Sequence, residues 1–212
     1  MPTRVKICGM TRLEDAQLAV ELGAAAIGFN FYPPSPRSIA PEAAREIARR
    51  LPPFVVTVGV FADETDADRV LALAREAGVA AVQLHGPRFP AVERELGPYP
   101  VIRAVAVREG FKPEELARLK ARAFLLDAHD ADLRGGTGKT FDWALARQAA
   151  SYGPIILAGG LNSGNVREAI RTVRPFAVDV ASGVESAPGV KDTGKLRAFF
   201  AEVEKANRES QS

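Results

Sequence analysis

Eight short apolar or β-branched runs, separated by stretches of helical period, recur along the whole chain, and this alternation restricts the fold more than any other feature. The strand candidates are VKIC from Val5, AIGFNF from Ala26, FVVTVGV from Phe54 and AAVQLH from Ala80, then VIRAVAV from Val101, AFLLDA from Ala123, PIILAG from Pro154 and FAVDVA from Phe176. Helix candidates lie between them: Leu13–Leu22, Pro41–Leu51, Asp66–Ala77, Pro113–Leu119, Trp143–Ser151, Ser163–Val173 and Lys195–Ala206. Thr11-Arg-Leu-Glu14 reads as a capping box, and Pro41 and Pro113 suit a first helical turn. Eight strand–helix units in 212 residues, with no linker, predict a single-domain α/β fold, the (β/α)8 or TIM barrel, over residues 1–206. The polar tail NRESQS, residues 207–212, is expected to fray. A doubly wound open sheet is the alternative architecture.

Strands covered on both faces should be apolar throughout. Here polar residues interrupt several of them at alternate positions: Lys6 and Cys8, Asn30, Gln83 and His85, Arg103, Asp127, and Asp179. In a barrel one parity faces the helices and the other the interior, so polar groups at strand C-termini converge on one mouth, where such barrels keep their sites. Lys6 and Arg103 could equally form structural ion pairs inside the barrel.

Glycine-bearing segments follow the seventh and eighth strands, Leu157-Ala-Gly-Gly-Leu161 and Ala181-Ser-Gly-Val-Glu185. Backbone N–H groups of Gly159, Gly160, Ser182 and Gly183 are therefore candidates for a phosphate, against the plainer reading of tight turns. A third glycine-rich stretch, LRGGTGKTFDW from Leu133 to Trp143, approaches a P-loop, but Leu133 stands where the motif needs glycine. It lies in a long connection after the sixth strand, with Arg134 and Lys139, and reads as a lid over an anionic ligand rather than an ATP cradle. Arg37 sits in the proline-stiffened FYPPSPRS, where a guanidinium fork suits a carboxylate or phosphate. Cys8 and Asp127 end the first and sixth strands; a thiol and a carboxyl there could act as base and acid, unless Cys8 is a buried structural cysteine. His85, His129 and Cys8 have no recognisable metal-ligand spacing.

Composition narrows the function classes. Twenty-eight basic and 26 acidic residues leave a formal charge of +2 without a concentrated basic patch, which argues against nucleic acid. A lone cysteine, no signal-like apolar core in MPTRVKICG and no run of about 20 apolar residues point to a cytoplasmic protein with no membrane partner.

KICGMT, FYPPSPR, QLHG, LLDA, GGTGKTFDW, LAGGL and VDVASGVE occur in this order from Lys6 to about Phe199. Together they closely resemble the phosphoribosylanthranilate isomerase family of tryptophan biosynthesis, in which GGTGKTFDW is characteristic without binding a nucleotide. The resemblance implies a barrel without metal or cofactor, an Amadori rearrangement, and a phosphosugar substrate. It implies that Cys8 takes the proton from ribose C2 and Asp127 protonates the ring oxygen. It also implies that Arg37 binds the anthranilate carboxylate, that Gly159, Gly160, Ser182 and Gly183 hold the phosphate, and that Asp179 lies near the amine or sugar hydroxyls. The chemistry then calls for an environment that favours the Cys8 thiolate, with Lys6 as a possible helper, and one that keeps Asp127 protonated. Other phosphosugar barrel enzymes, a non-catalytic phosphosugar-binding protein and an NTP-binding module are the rival readings. Whether the chain is a monomer or a homodimer is open.

Overall fold

In the computed structural model, which describes residues 1–64, 66–86, 95–97, 99–108, 110–119, 121–127 and 143–210, all eight strand candidates form parallel strands that close on themselves. They are β1 (Arg4–Ile7), β2 (Ala26–Asn30), β3 (Val56–Ala62), β4 (Ala81–His85), β5 (Val101–Ala106), β6 (Ala123–Asp127), β7 (Ile155–Ala158) and β8 (Ala177–Val180). Neighbours follow chain order, and β8 returns to β1 with Lys6 opposite Asp179. The closed sheet fits the barrel and excludes the open one. β3 starts two residues later than its apolar run, because its register with β2 begins at Ala26 opposite Val56. Phe54 is left 95% exposed at the N-terminal end of the strand.

The helices are α1 (Leu13–Glu21), α2 (Pro41–Ala48), α3 (Ala67–Ala77), α4 (Trp143–Ala149), α5 (Val166–Val173) and α6 (Thr193–Glu209), with a 3₁₀ helix at Pro113–Arg118. Asp66 caps α3 by accepting from the backbone N–H groups of Asp68 and Arg69, and Pro41 opens α2. The expected capping box does not form. Arg12 is the N-cap of α1 without a side-chain cap bond, and the Thr11 hydroxyl instead donates to the Gly189 carbonyl at 2.5 Å. That carbonyl belongs to an antiparallel hairpin after β8, β9 (Glu185–Ala187) and β10 (Val190–Lys191), which the sequence pattern did not suggest.

Strand alternation sorts the core into two layers. Ile7, Phe29, Leu84, Phe124, Leu126 and Val178 face the helices, each at most 2% exposed. Ala104, Ala123, Leu125, Ile156, Ala158 and Ala177 fill the barrel interior. Each large outer side chain so buried contributes roughly 1.5–3 kcal/mol, which makes the outer layer the main source of stability. Arg103 belongs to that outer layer, contrary to the parity argument: its register partners are Leu84 and Phe124, while Ile102 and Ala104 face inward. Among the described residues no helix is long and apolar enough to cross a membrane.

The C-terminal helix runs past the expected boundary at residue 206. Asn207 is helical, accepts from the Thr3 N–H at 2.7 Å and donates to the Thr3 carbonyl at 3.1 Å, so the tail clamps the first strand's approach instead of fraying there. Two such bonds, at about 0.5–1.5 kcal/mol each, set the expectation that Asn207→Ala lowers unfolding free energy by about 1–3 kcal/mol in urea titrations; an unchanged midpoint would mean the clamp is open in solution.

Candidate active site

Cys8 follows β1 directly, and its N–H donates to the Val180 carbonyl at 2.9 Å, which pins it to the end of β8. Two residues below it, the Lys6 ammonium meets the Asp179 carboxylate at 2.8 Å, and the two side chains are only 3% and 10% exposed. The thiol and the ammonium share one space over β2. A methyl group on Gly28 would lie 3.0 Å from Cys8 Sγ and 3.1 Å from Lys6 Nζ. Burial disfavours the Lys6 charge, but Asp179 and the neighbouring thiol outweigh it and hold Lys6 above its ordinary range. Burial also acts on Cys8 and pushes the thiol up; Lys6 and Lys191 oppose that rise and Asp179 adds to it. The environment expected to favour the thiolate is thus present as Lys6 but does not prevail over desolvation.

Arg37 is held by more than its prolines. Asn30 accepts from the Tyr32 N–H at 2.9 Å and donates to Ser35 Oγ at 3.1 Å, and Ser35 Oγ accepts the Arg37 N–H at 3.2 Å. Asn30, though on the inward parity, therefore serves as the anchor of this loop. The Arg37 stem lies across Gly9, the residue after Cys8. A Cβ there would sit 2.6 Å from Arg37 Cδ, and Gly9 has φ +70°. Only a residue without a side chain lets the arginine pass this close to the thiol's own backbone. The guanidinium is gripped by Glu185, with Nε at 3.0 and 3.1 Å from the two carboxylate oxygens and Nη2 at 2.7 Å from Oε2. Glu185 is in turn 2.8 Å from the fully buried Lys191 ammonium, which also donates to the Cys8 carbonyl at 2.7 Å.

The two glycine-bearing loops meet. Gly159 and Gly160 follow β7 with φ +83° and +64°, and the Gly160 carbonyl accepts from the Asn162 and Asn165 amides at 3.2 and 3.0 Å. Ser182, Gly183 and Val184 form one 3₁₀ turn after β8. A Cβ on Gly183 would fall 1.9 Å from the Leu161 carbonyl oxygen, so glycine is required there for loop contact, beyond any turn geometry.

Asp127 ends β6 at the same rim, paired in register with Ala158 of β7. Gln83 and His85 face the interior from β4, with Nε2 atoms 2.6 Å apart. The structure thus gathers Cys8, Arg37 and the loops of Gly159, Gly160, Ser182 and Gly183 on the C-terminal rim with Asp127, and sets Lys6 and Asp179 just below as an ion pair. The Leu133–Trp143 stretch, with Arg134 and Lys139, lies outside the described residues except for Trp143, and so does His129. Among the described residues no three His, Cys, Asp or Glu side chains gather as a metal set. Sequence reasoning missed Glu185 and Lys191; their signal was a pair of charged residues close behind a glycine loop, too common to single out.

Residues 5–202 match the family described as N-(5'-phosphoribosyl)anthranilate (PRA) isomerase. A relative of that name from Syntrophus aciditrophicus is 51% identical over 201 residues, covering 95% of this chain and 87% of that protein. The crystal structure of phosphoribosyl anthranilate isomerase from Thermus thermophilus superposes with TM-score 0.84 at 47% identity, covering 96% of this chain and 99% of that one. Another structure, of the isomerase in complex with reduced 1-(o-carboxyphenylamino)-1-deoxyribulose 5-phosphate, gives TM-score 0.82 at 43% identity over 96% and 99% of the two chains.

The contact at Gly183 yields a direct expectation. Gly183→Ala forces a methyl into backbone that cannot yield, an overpacking cost of about 1–3 kcal/mol, so the thermal midpoint should fall by roughly 2–12 °C. A midpoint equal to the parent's would show that the two loops do not touch.

Proposed function

The chain belongs to the N-(5'-phosphoribosyl)anthranilate isomerase family, and on that premise we propose that Cys8 and Asp127 run its reaction as general base and general acid. The reaction is the Amadori rearrangement of N-(5-phospho-β-D-ribosyl)anthranilate to 1-(2-carboxyphenylamino)-1-deoxy-D-ribulose 5-phosphate, a step of tryptophan biosynthesis. Its substrate carries a carboxylate at one end and a phosphate at the other, which asks for two anion sites flanking an acid–base pair.

Asp127 gives a proton to the ring oxygen as the C1–O bond breaks and the nitrogen lone pair forms C1=N. The imine acidifies C2–H, and Cys8 removes that proton to leave an enolamine, which ketonises as C1 gains a proton and the C2 hydroxyl loses one. No net proton or electron is consumed. Arg37 binds the anthranilate carboxylate with the donors Glu185 leaves over, and the loops of Gly159, Gly160, Ser182 and Gly183 take the phosphate. Asp179 acts chiefly through Lys6, whose ammonium stabilises the Cys8 thiolate. The observation that supports this reading is the passage of the Arg37 stem across Gly9, which brings the arginine to the residue after Cys8. A cytosolic location fits a catalytic thiol that must stay reduced. For assembly, the exposed Phe54 and half-exposed Val56, at the barrel end opposite the site, support a homodimer; a solution mass near 22.7 kDa would mean a monomer.

Positioned acid–base groups contribute about 10²–10⁴-fold each, so Cys8→Ala and Asp127→Asn should each lower kcat by at least the lower figure without loss of fold. Cys8→Ser should recover little, because a hydroxyl is far less acidic than a thiol. Since the chain has a single cysteine, alkylation by iodoacetamide against pH reports Cys8 alone. The thiol is raised by burial, so alkylation should rise at a pH above that of an ordinary thiol, about 8.5. Lys6→Met removes a cation and uncovers Asp179, both of which disfavour the thiolate, so its curve should move further alkaline. Near-normal turnover in Cys8→Ala would overturn the assignment of the base, and an unmoved curve in Lys6→Met that of its helper.

A further inference from the structure

The hairpin behind β8 packs against the β1–α1 segment, which carries Thr11 and Asp15, and reaches Arg37 through Glu185. Gly189 at its tip accepts the Thr11 hydroxyl, and the Lys191 N–H donates to Asp15 Oδ2 at 2.9 Å. The Glu185 carboxylate accepts five hydrogen bonds. Its Oε1 accepts from Arg37 Nε at 3.0 Å, Lys191 Nζ at 2.8 Å and the Gly189 N–H at 3.2 Å, while Oε2 accepts from Arg37 Nε at 3.1 Å and Nη2 at 2.7 Å. Its side chain is 5% exposed and that of Lys191 is 0%, whereas Arg37 keeps 24%. Burial works against the Glu185 charge, but Arg37 and Lys191 outweigh it and hold the carboxyl below its ordinary range.

We propose that Glu185 is a positioning residue for the isomerisation, fixing Arg37 so that one free edge of its guanidinium meets the substrate carboxylate, with Lys191 holding Glu185 in turn. The inference rests on the reading of Arg37 as the anthranilate carboxylate site. A guanidinium has five N–H donors. Glu185 occupies the edge made by Nε and one N–H of Nη2, and so stops the plane from turning. The end edge, Nη1 with the second N–H of Nη2, has no hydrogen-bond partner among the described residues and is shaped for a second planar carboxylate. The charges fit the same purpose. Arg37 and Lys191 against Glu185 leave one net positive charge at the mouth, enough to draw an anion without leaving two adjacent cations unscreened. Lys191 adds a second link, since its bond to the Cys8 carbonyl ties the arginine's anchor to the backbone of the base.

A double-mutant cycle tests this with N-(5'-phosphoribosyl)anthranilate as substrate. Glu185→Gln keeps the shape and removes the charge. It should lower kcat/KM about tenfold, mainly through KM, because the contact it preserves is made in ground and transition states alike. In an Arg37→Ala background the same change should cost less than about twofold, since its target is gone. Near-normal kcat/KM in Glu185→Gln overturns the proposal. So does a loss that persists undiminished in the double variant while Arg37→Ala alone is impaired, which would mark Glu185 as structural only. Near-normal kcat/KM in Arg37→Ala would instead overturn the carboxylate reading beneath it. If Glu185→Gln does not fold, Glu185→Asp decides through the same cycle: it keeps the charge beside Lys191 but withdraws the fork from Arg37.

Discussion

The pairing of β8 with β1 is the constraint on which the site depends. It closes the barrel, brings Lys6 opposite Asp179, and lets the Cys8 N–H reach the Val180 carbonyl. Without that closure the thiol, its neighbouring ammonium and the Ser182–Gly183 turn would lie at opposite ends of the chain. The Lys6–Asp179 pair sits at this seam, where removing two charges from water offsets much of their attraction. Its value is better sought in position than in stability: with one partner removed, the other would be a stranded charge, so the pair must persist and keeps an ammonium under the thiol.

Electrostatics at the mouth follow a common pattern, in which each buried charge has a partner and an uneven number of charges leaves a residue of potential. Lys6 is matched by Asp179, while Glu185 is shared between Arg37 and Lys191. The thiol sits between these two groups. Burial pushes its pKa up, and the cations around it, Lys6 and Lys191, oppose that rise. On the proposed assignment the substrate carboxylate meets Arg37 and its phosphate the backbone N–H groups of the two glycine loops, with Cys8 and Asp127 as base and acid.

Much of this was legible in the chain itself. The strands were readable because both sides of each are covered, which demands apolar runs, and because each polar exception stands out against them. That same contrast misled at Arg103: a polar residue among apolar neighbours on both parities is visible, but its face is set by register with Leu84 and Phe124. Thr11 carried a sound local signal for a capping box, which the Gly189 carbonyl overrode by arriving from a hairpin nearly the length of the chain away.

Local chemistry and periodicity therefore determined the barrel and its polar rim, and marked Cys8, Asp127, Arg37 and the two glycine loops as candidates. Tertiary structure alone decided the partners: Glu185 for Arg37, Asp179 for Lys6, the Leu161 carbonyl for Gly183, and Asn207 for Thr3. The reason is physical. Burial patterns act through near neighbours in the chain and leave a period behind, whereas a hydrogen bond or ion pair between distant residues needs only two compatible groups and leaves none.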